Sequence, residues 1–115
     1  MEAQVLFCGV AVNDLETAEG WYQRLFGRPA DVLVNDNEVM WRVAGDAGWL
    51  YVVVDPVRAG LGLAAISVAD LDAELRSLRE RGIEPAMVED VNESSRKATF
   101  YDPDANLVAV IEVKA

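Results

Sequence analysis

The amino-acid sequence predicts an α+β fold in which two β-α-β-β-β modules form one curved mixed sheet with both helices on its convex face. The first observation is an internal repeat, because Val12-Asn13-Asp14-Leu15 returns 56 positions later as Val68-Ala69-Asp70-Leu71. The second is that each helical stretch ends at a glycine, and the third is that three strand-like stretches follow each helix. A copy of about 55 residues buries a sheet poorly on its own, so the two copies are expected to pack side by side.

The first module begins with residues 4–13, which are apolar on both faces and predict a strand buried on both sides. Asp14 is a suitable N-cap for the helix that follows, and Gly27 is a suitable left-handed residue at its end. Hairpin turns then separate three further strands, which are expected at about 31–35, 38–44 and 49–54.

The second module has the same order of elements. Residues 62–69 predict its first strand, Asp70 its helix N-cap and Gly82 the end of that helix. Three strands are expected at about 84–90, 96–101 and 107–113. Residues 55–61 read as a linker, so we expect a single domain of residues 1–115, with modules at about 1–55 and 62–115.

The composition restricts the function. Ten basic and twenty acidic residues give a net charge of −10, which argues against nucleic acid or an anionic membrane as partners. The charge is compatible with a cationic ligand, or with solubility alone. The sequence contains no apolar run of about 20 residues that spans a bilayer. Because Cys8 is its single cysteine, the chain is expected to be cytoplasmic.

The chain contains no histidine, the commonest metal ligand and general base. Any metal site would therefore need carboxylates, and acid–base chemistry would need Asp, Glu, Tyr, Lys or Cys8. We find no phosphate-binding loop, no nucleophile–base pair and no zinc-type spacing, so no catalytic residue is assigned.

Three sequence segments carry a resemblance to a known family. They are Val12–Gly27 (VNDLETAEGWYQRLFG), Val68–Asp72 (VADLD) and Phe100–Leu107 (FYDPDANL). In this order and at this spacing they resemble the vicinal oxygen chelate superfamily, which includes glyoxalases, bleomycin-resistance proteins and extradiol dioxygenases. The resemblance implies the paired-module fold, and also a homodimer, because many members build their pocket between two subunits.

The resemblance also implies where a metal would bind in the metal-dependent members. The positions that correspond to their ligands are Phe7, Leu63 and Ala109, with Tyr51 at the equivalent position of the first module. Phe, Leu and Ala side chains carry no O, N or S donor. We therefore expect neither a metal nor another cofactor.

Strand alternation predicts which residues line the concave groove. If Phe7 faces inward, then Trp49, Tyr51, Leu63 and Ala109 face inward as well. Trp49 and Tyr51 are candidates for contact with a flat or cationic ligand, with simple core packing as the alternative. Two roles are open for Phe7. Its ring contacts a ligand, or it packs in the space that a lost metal site would have occupied.

Three further positions stay open. Trp41 and Arg42 are adjacent, so only one of them faces the groove, and an inward Arg42 would indicate an anionic ligand. Tyr101 borders the last turn, where its hydroxyl can point into the groove. The candidate ligand-binding residues are Phe7, Trp41, Arg42, Trp49, Tyr51, Leu63, Tyr101 and Ala109.

These features predict a metal-independent small-molecule binding protein that sequesters a drug or metabolite, with a cationic or aromatic ligand. One alternative is an enzyme of the same superfamily, a lyase, an isomerase or a relative of the dioxygenases, that works without the usual metal site. The other is a structural or regulatory domain whose own side chains close the groove. The missing metal ligands favour binding over catalysis.

Overall fold

A computed structural model describes residues 1–114 and contains the expected strands and helices in the expected order. This confirms the α+β class. The elements are β1 (Leu6–Val12), α1 (Leu15–Phe26), β2 (Val32–Asn35), β3 (Glu38–Ala44), β4 (Gly48–Val54), β5 (Leu63–Ser67), α2 (Leu71–Glu80), β6 (Met87–Asn92), β7 (Ser95–Tyr101) and β8 (Leu107–Val113).

The strands form two four-stranded mixed sheets of the same topology. Their orders are β1-β4-β3-β2 and β5-β8-β7-β6, with β1 parallel to β4 and β5 parallel to β8. The other neighbouring strands are antiparallel, as short turns require. β1 lies beside β5, so the expected curved sheet consists of two halves that meet along these strands. We call this boundary the seam.

Both helices begin where the repeated aspartate caps them. Asp14 Oδ2 accepts a hydrogen bond from Thr17 N at 2.9 Å, and Asp70 Oδ1 accepts one from Ala73 N at 3.1 Å. α1 ends at Gly27, whose φ of 75° lies in the left-handed region. Within residues 1–114 neither helix is long and apolar enough to cross a membrane.

The hydrophobic core lies between the helices and the sheets. Its largest fully buried side chain is Trp41, whose ring centroid lies 6.0 Å from that of Tyr22 and 5.5 Å from that of Phe26 of α1. Large apolar side chains in these positions supply most of the burial that stabilises the fold. Other buried core residues are Val10, Val12, Val39, Leu50, Val52, Leu71, Leu75, Leu78, Phe100, Val108 and Val110.

A buried polar cluster in the turn before β8 connects the two modules. Asn106 Nδ2 donates to Ala11 O and to Asp102 Oδ2, both at 2.8 Å, and Asn106 Oδ1 accepts from Gly62 N at 2.7 Å. Tyr22 Oη donates to Asp102 Oδ2 at 2.8 Å. Because buried polar groups are costly when unpaired, these bonds fix the second module against β1 and α1 of the first.

Candidate ligand-binding groove

Strand register defines the face of the sheets that points away from the helices. In β4 the buried residues Leu50 and Val52 face the helices, so Trp49 and Tyr51 face the concave side. The paired positions on neighbouring strands share that side. The groove face therefore carries Phe7, Gly9, Arg42, Trp49, Tyr51, Leu63, Ala65, Thr99, Tyr101, Leu107 and Ala109.

Three candidate residues on this face present large apolar surfaces to solvent. Phe7 is 51% exposed, Leu63 is 77% exposed and Tyr101 is 51% exposed. Phe7 and Leu63 occupy equivalent registers, since Phe7 pairs with Trp49 of β4 and Leu63 pairs with Leu107 of β8. Exposed large apolar side chains on a concave face are typical of a ligand-binding or partner-binding site.

The ring of Tyr51 lies over Gly9 of β1 on the groove face. A Cβ atom at Gly9 would lie 2.2 Å from Tyr51 Cζ, so only glycine leaves room for the ring at that position. The two residues are register partners in the parallel β1–β4 pair. Strand alternation from Phe7 also puts Gly9 on the groove face, but alternation alone does not reveal this role.

Arg42, not Trp41, faces the groove. The Arg42 guanidinium carbon lies 5.3 Å from the Trp49 ring centroid, a cation–π geometry between register partners. Arg42 Nε also lies 3.4 Å from Asp46 Oδ1 at the surface. Trp49 Nε1 donates to Asp46 O at 3.1 Å, which holds the ring in place.

The prediction that Trp41 lines the groove is therefore wrong. Its side chain is fully buried on the helix side of β3, and its Nε1 donates to Arg28 O at 3.0 Å. Alternation allows only one of Trp41 and Arg42 on each face of the sheet. Because the Trp41 ring gains apolar contacts with α1, Trp41 takes the helix side and Arg42 takes the groove side.

Ala109 lies on the groove side of β8 but is buried. Its register partners are Ala65 of β5 and Thr99 of β7, and Thr99 is buried as well. Ala109 belongs to the floor of the groove, where its methyl group adds little surface for a ligand.

The family model for the glyoxalase/bleomycin resistance protein/dioxygenase superfamily matches residues 4–110. The chain belongs to this superfamily. A comparison with curated protein sequences gives no match.

Solved structures of similar fold agree with membership of the superfamily. A glyoxalase/bleomycin resistance protein from Catenulispora acidiphila is 37% identical, with 96% of this chain and 99% of that chain covered and a TM-score of 0.88. TnmS3, an antibiotic binding protein from Streptomyces sp., is 23% identical, with coverages of 99% and 97% and a TM-score of 0.76. A putative glyoxalase family protein from Bacillus anthracis is 17% identical, with coverages of 99% and 98% and a TM-score of 0.79.

The superfamily's metal chemistry does not fit the donor atoms at these positions. Phe7, Leu63 and Ala109 offer only carbon atoms, and the neighbouring Tyr51 offers a single phenol oxygen. Within residues 1–114 no three His, Cys, Asp or Glu side chains lie close enough together to hold a metal ion. We therefore derive no step of the function through a metal.

Two titratable groups with raised pKa, Tyr22 and Cys8, lie on the helix side of the sheets and not on the concave face. Burial, together with the charge of Asp102, raises the pKa of Tyr22 far above its ordinary value. Burial also raises the pKa of the Cys8 thiol. Both groups keep their protons at neutral pH, so neither acts as a base toward a molecule on the concave face.

Proposed function

We propose that this superfamily member binds a small, largely apolar organic molecule on the concave face and sequesters it without a metal and without converting it. The observation that carries the proposal is the exposed apolar surface of Phe7 and Leu63 at the positions of the superfamily's metal ligands. Such surface favours a greasy or aromatic molecule, and the carbon atoms there supply no Lewis acid.

The ligand class is supported by a structural neighbour. TnmS3 is described as an antibiotic binding protein, and it shares this fold over nearly the whole of both chains. We therefore propose a drug or an aromatic metabolite as the ligand. Tyr51 and Trp49 would stack on its planar part, while Tyr101 and Arg42 at the rim would orient its polar groups.

The two alternative functions differ in what they need from the groove. A closed structural domain would fill the concave face with its own side chains, whereas Leu63 is largely exposed. A metal-free lyase or isomerase would need an acid–base group on that face, and Tyr51 and Tyr101 are the phenols available there. No feature of these two phenols favours catalysis over simple hydrogen bonding.

We also propose that the protein forms a homodimer and acts in the cytoplasm. The outer strands β2 and β6 expose apolar side chains at Leu33, Val34, Met87 and Val91. Exposed strand edges of this kind are commonly covered by a second chain. Light scattering coupled to size exclusion measures the molar mass, and the mass of a monomer at micromolar concentrations would contradict the dimer.

The proposed function is tested with chelator-treated protein against a panel of antibiotics and aromatic metabolites, by thermal shift followed by calorimetry. A bound ligand at about 100 times its Kd stabilises the fold by about 2.7 kcal/mol. Leu63→Asp should abolish binding, because it puts a charge into the apolar groove. Leu61→Asp, at a similarly exposed leucine just before β5, should bind as the unchanged protein does.

Three outcomes would contradict the proposal. They are no binding across the panel, binding that appears only after a divalent metal is added, and chemical conversion of the bound compound. Equal loss of binding in Leu61→Asp and Leu63→Asp would also count against the proposal, because the effect of Leu63→Asp would then not be specific to the groove.

A further inference from the structure

The seam between the two modules is closed at one end and open at the other. The registers Phe7–Trp49 and Leu63–Leu107 align the modules, so Asn106, one residue before Leu107, corresponds to Gly48, one residue before Trp49. Asn106 bridges β1 and β5 through its bonds to Ala11 O and Gly62 N. Gly48 has no side chain to form the equivalent bridge.

A cavity of about 240 Å³ opens at the Gly48 end of the seam. Its lining comes from both modules and from both faces of the sheets, and it is mainly apolar. Ala65 and Ser67 of β5 are exposed at this cavity, so it is accessible from solvent. The side chains that shape it include Leu6, Cys8, Val43, Trp49, Ala64 and Ile66.

We propose that this seam cavity receives the aromatic ring of an acidic aromatic ligand, whose carboxylate is held by Arg42. This inference rests on the proposed function and names the ligand class more closely. An apolar cavity of about 150 Å³ is sufficient to bind benzene. The seam cavity therefore has room for a substituted ring or a fused pair of rings.

Trp49 connects the cavity to the acidic group of the ligand. Trp49 is one of the residues that line the cavity, and the Arg42 guanidinium carbon lies 5.3 Å from the centroid of its ring. A ring that enters beside Trp49 would place its substituent within reach of Arg42. Guanidinium groups pair with carboxylates through a fixed fork of N–H donors.

Arg42 is available for such a contact. Its present partner, Asp46, is 92% exposed and lies 3.4 Å away, the geometry of a weak surface pair. A ligand carboxylate whose ring is already inserted in the cavity loses less conformational freedom on pairing with Arg42 than the exposed Asp46 side chain does. The net charge of the chain is −10, and Asp46 and Asp31 both lie near Arg42, so binding of an anion here would depend on direct pairing with the Arg42 guanidinium.

Three naphthalene probes of equal size test the proposal by calorimetry: naphthoate, naphthalenemethanol and naphthylmethylammonium. Naphthoate should bind at least about tenfold more tightly than the ammonium, with the alcohol in between. Arg42→Met should lower the naphthoate affinity to that of the alcohol. Arg79→Met, which removes an arginine from the distant surface pair with Glu84, serves as the matched control and should keep the order of affinities.

Two variants fill the cavity from opposite walls. Ala64→Val adds methyl groups from β5, and Cys8→Leu adds them from β1, where the side chain is only partly buried. Each should weaken all three probes by about tenfold or more. Circular dichroism and the melting temperature show which variants are folded, and Cys8→Leu keeps the test valid if Ala64→Val does not fold.

The results separate this inference from the proposed function. Equal affinity of the three probes, or unchanged affinity in a folded cavity-filled variant, would overturn the seam site. If a panel compound binds and Leu63→Asp abolishes its binding while Ala64→Val and Cys8→Leu do not, the groove function stands and the seam site fails. If the probes bind in the expected order and both cavity variants weaken them, the seam site stands even when Leu63→Asp has no effect.

Discussion

The side-chain amide of Asn106 donates a hydrogen bond to the carbonyl oxygen of Ala11 at 2.8 Å, although the two residues lie 95 positions apart. The same side chain accepts from Gly62 N, so it holds β1 and β5 together. Asn106→Ala should lower the free energy of unfolding by about 2–4 kcal/mol, because it leaves buried backbone groups unpaired. Urea denaturation measures this loss.

Asn13→Ala is the matched control for that prediction. Asn13 Nδ2 donates to Asp104 Oδ1 at 2.7 Å in the same turn, but at the exposed surface. The control should change stability by no more than about 0.5 kcal/mol. Equal losses in the two variants would mean that the buried bridge does not hold the modules together.

Tyr22 should make the protein less stable at alkaline pH. Burial and the neighbouring Asp102 charge raise the pKa of Tyr22 well above the usual value of about 10. Above that pH the unfolded chain loses the Tyr22 proton and the folded chain keeps it, so this residue lowers stability by up to about 1.4 kcal/mol per pH unit.

Tyr22→Phe removes this contribution and also the hydrogen bond to Asp102. At neutral pH the variant should be less stable by about 1–3 kcal/mol. The difference in the free energy of unfolding between the variant and the unchanged protein should then shrink as the pH rises from about 9 to about 11. A difference for Tyr22→Phe that stays constant over this pH range would contradict the prediction.

Arg81 caps the first helix from the second module. Its guanidinium donates to Arg24 O and, at 3.0 Å, to Leu25 O, two of the terminal carbonyls of α1. Arg81→Ala should cost about 1–2 kcal/mol of stability, because these carbonyls lose a charged donor. Arg79→Ala, from a surface ion pair, should cost less than about 1 kcal/mol, and a larger effect there would contradict this account.

Gly9 should control the position of Tyr51. Gly9→Ala places a methyl group where the Tyr51 ring lies, so the ring must rotate out of the groove. The change in stability should be small, because the atoms in conflict form the flexible end of the side chain. Ligand affinity should fall by a similar factor in Gly9→Ala, Tyr51→Ala and the double variant. Additive losses would show that Gly9 acts independently of Tyr51.

Much of the fold was predictable from local features of the sequence. The repeated Asp14 and Asp70 begin both helices, as N-caps do, because their carboxylates accept from backbone N–H groups three residues later. The second helix ends slightly before the expected Gly82. Arg81 is its C-cap, and Gly82 follows in the left-handed conformation with a φ of 82°.

The groove was predictable only in part. Alternation placed Phe7 and Leu63 on the groove face, because a strand period of two fixes the side of every residue. It did not decide between Trp41 and Arg42, since that depends on which side chain packs against α1. The bridge formed by Asn106 was not predictable, because it depends on a contact between residues far apart in the chain.

The most direct test of the central claim is to locate a bound compound on the concave face of chelator-treated protein. Nuclear Overhauser effects between the compound and assigned side chains provide this measurement. We expect the compound to contact the ring of Tyr51 and the methyl groups of Leu63, and to make no contact with the buried Trp41. Contacts confined to the helix side, or contacts that appear only when metal is added, would contradict it.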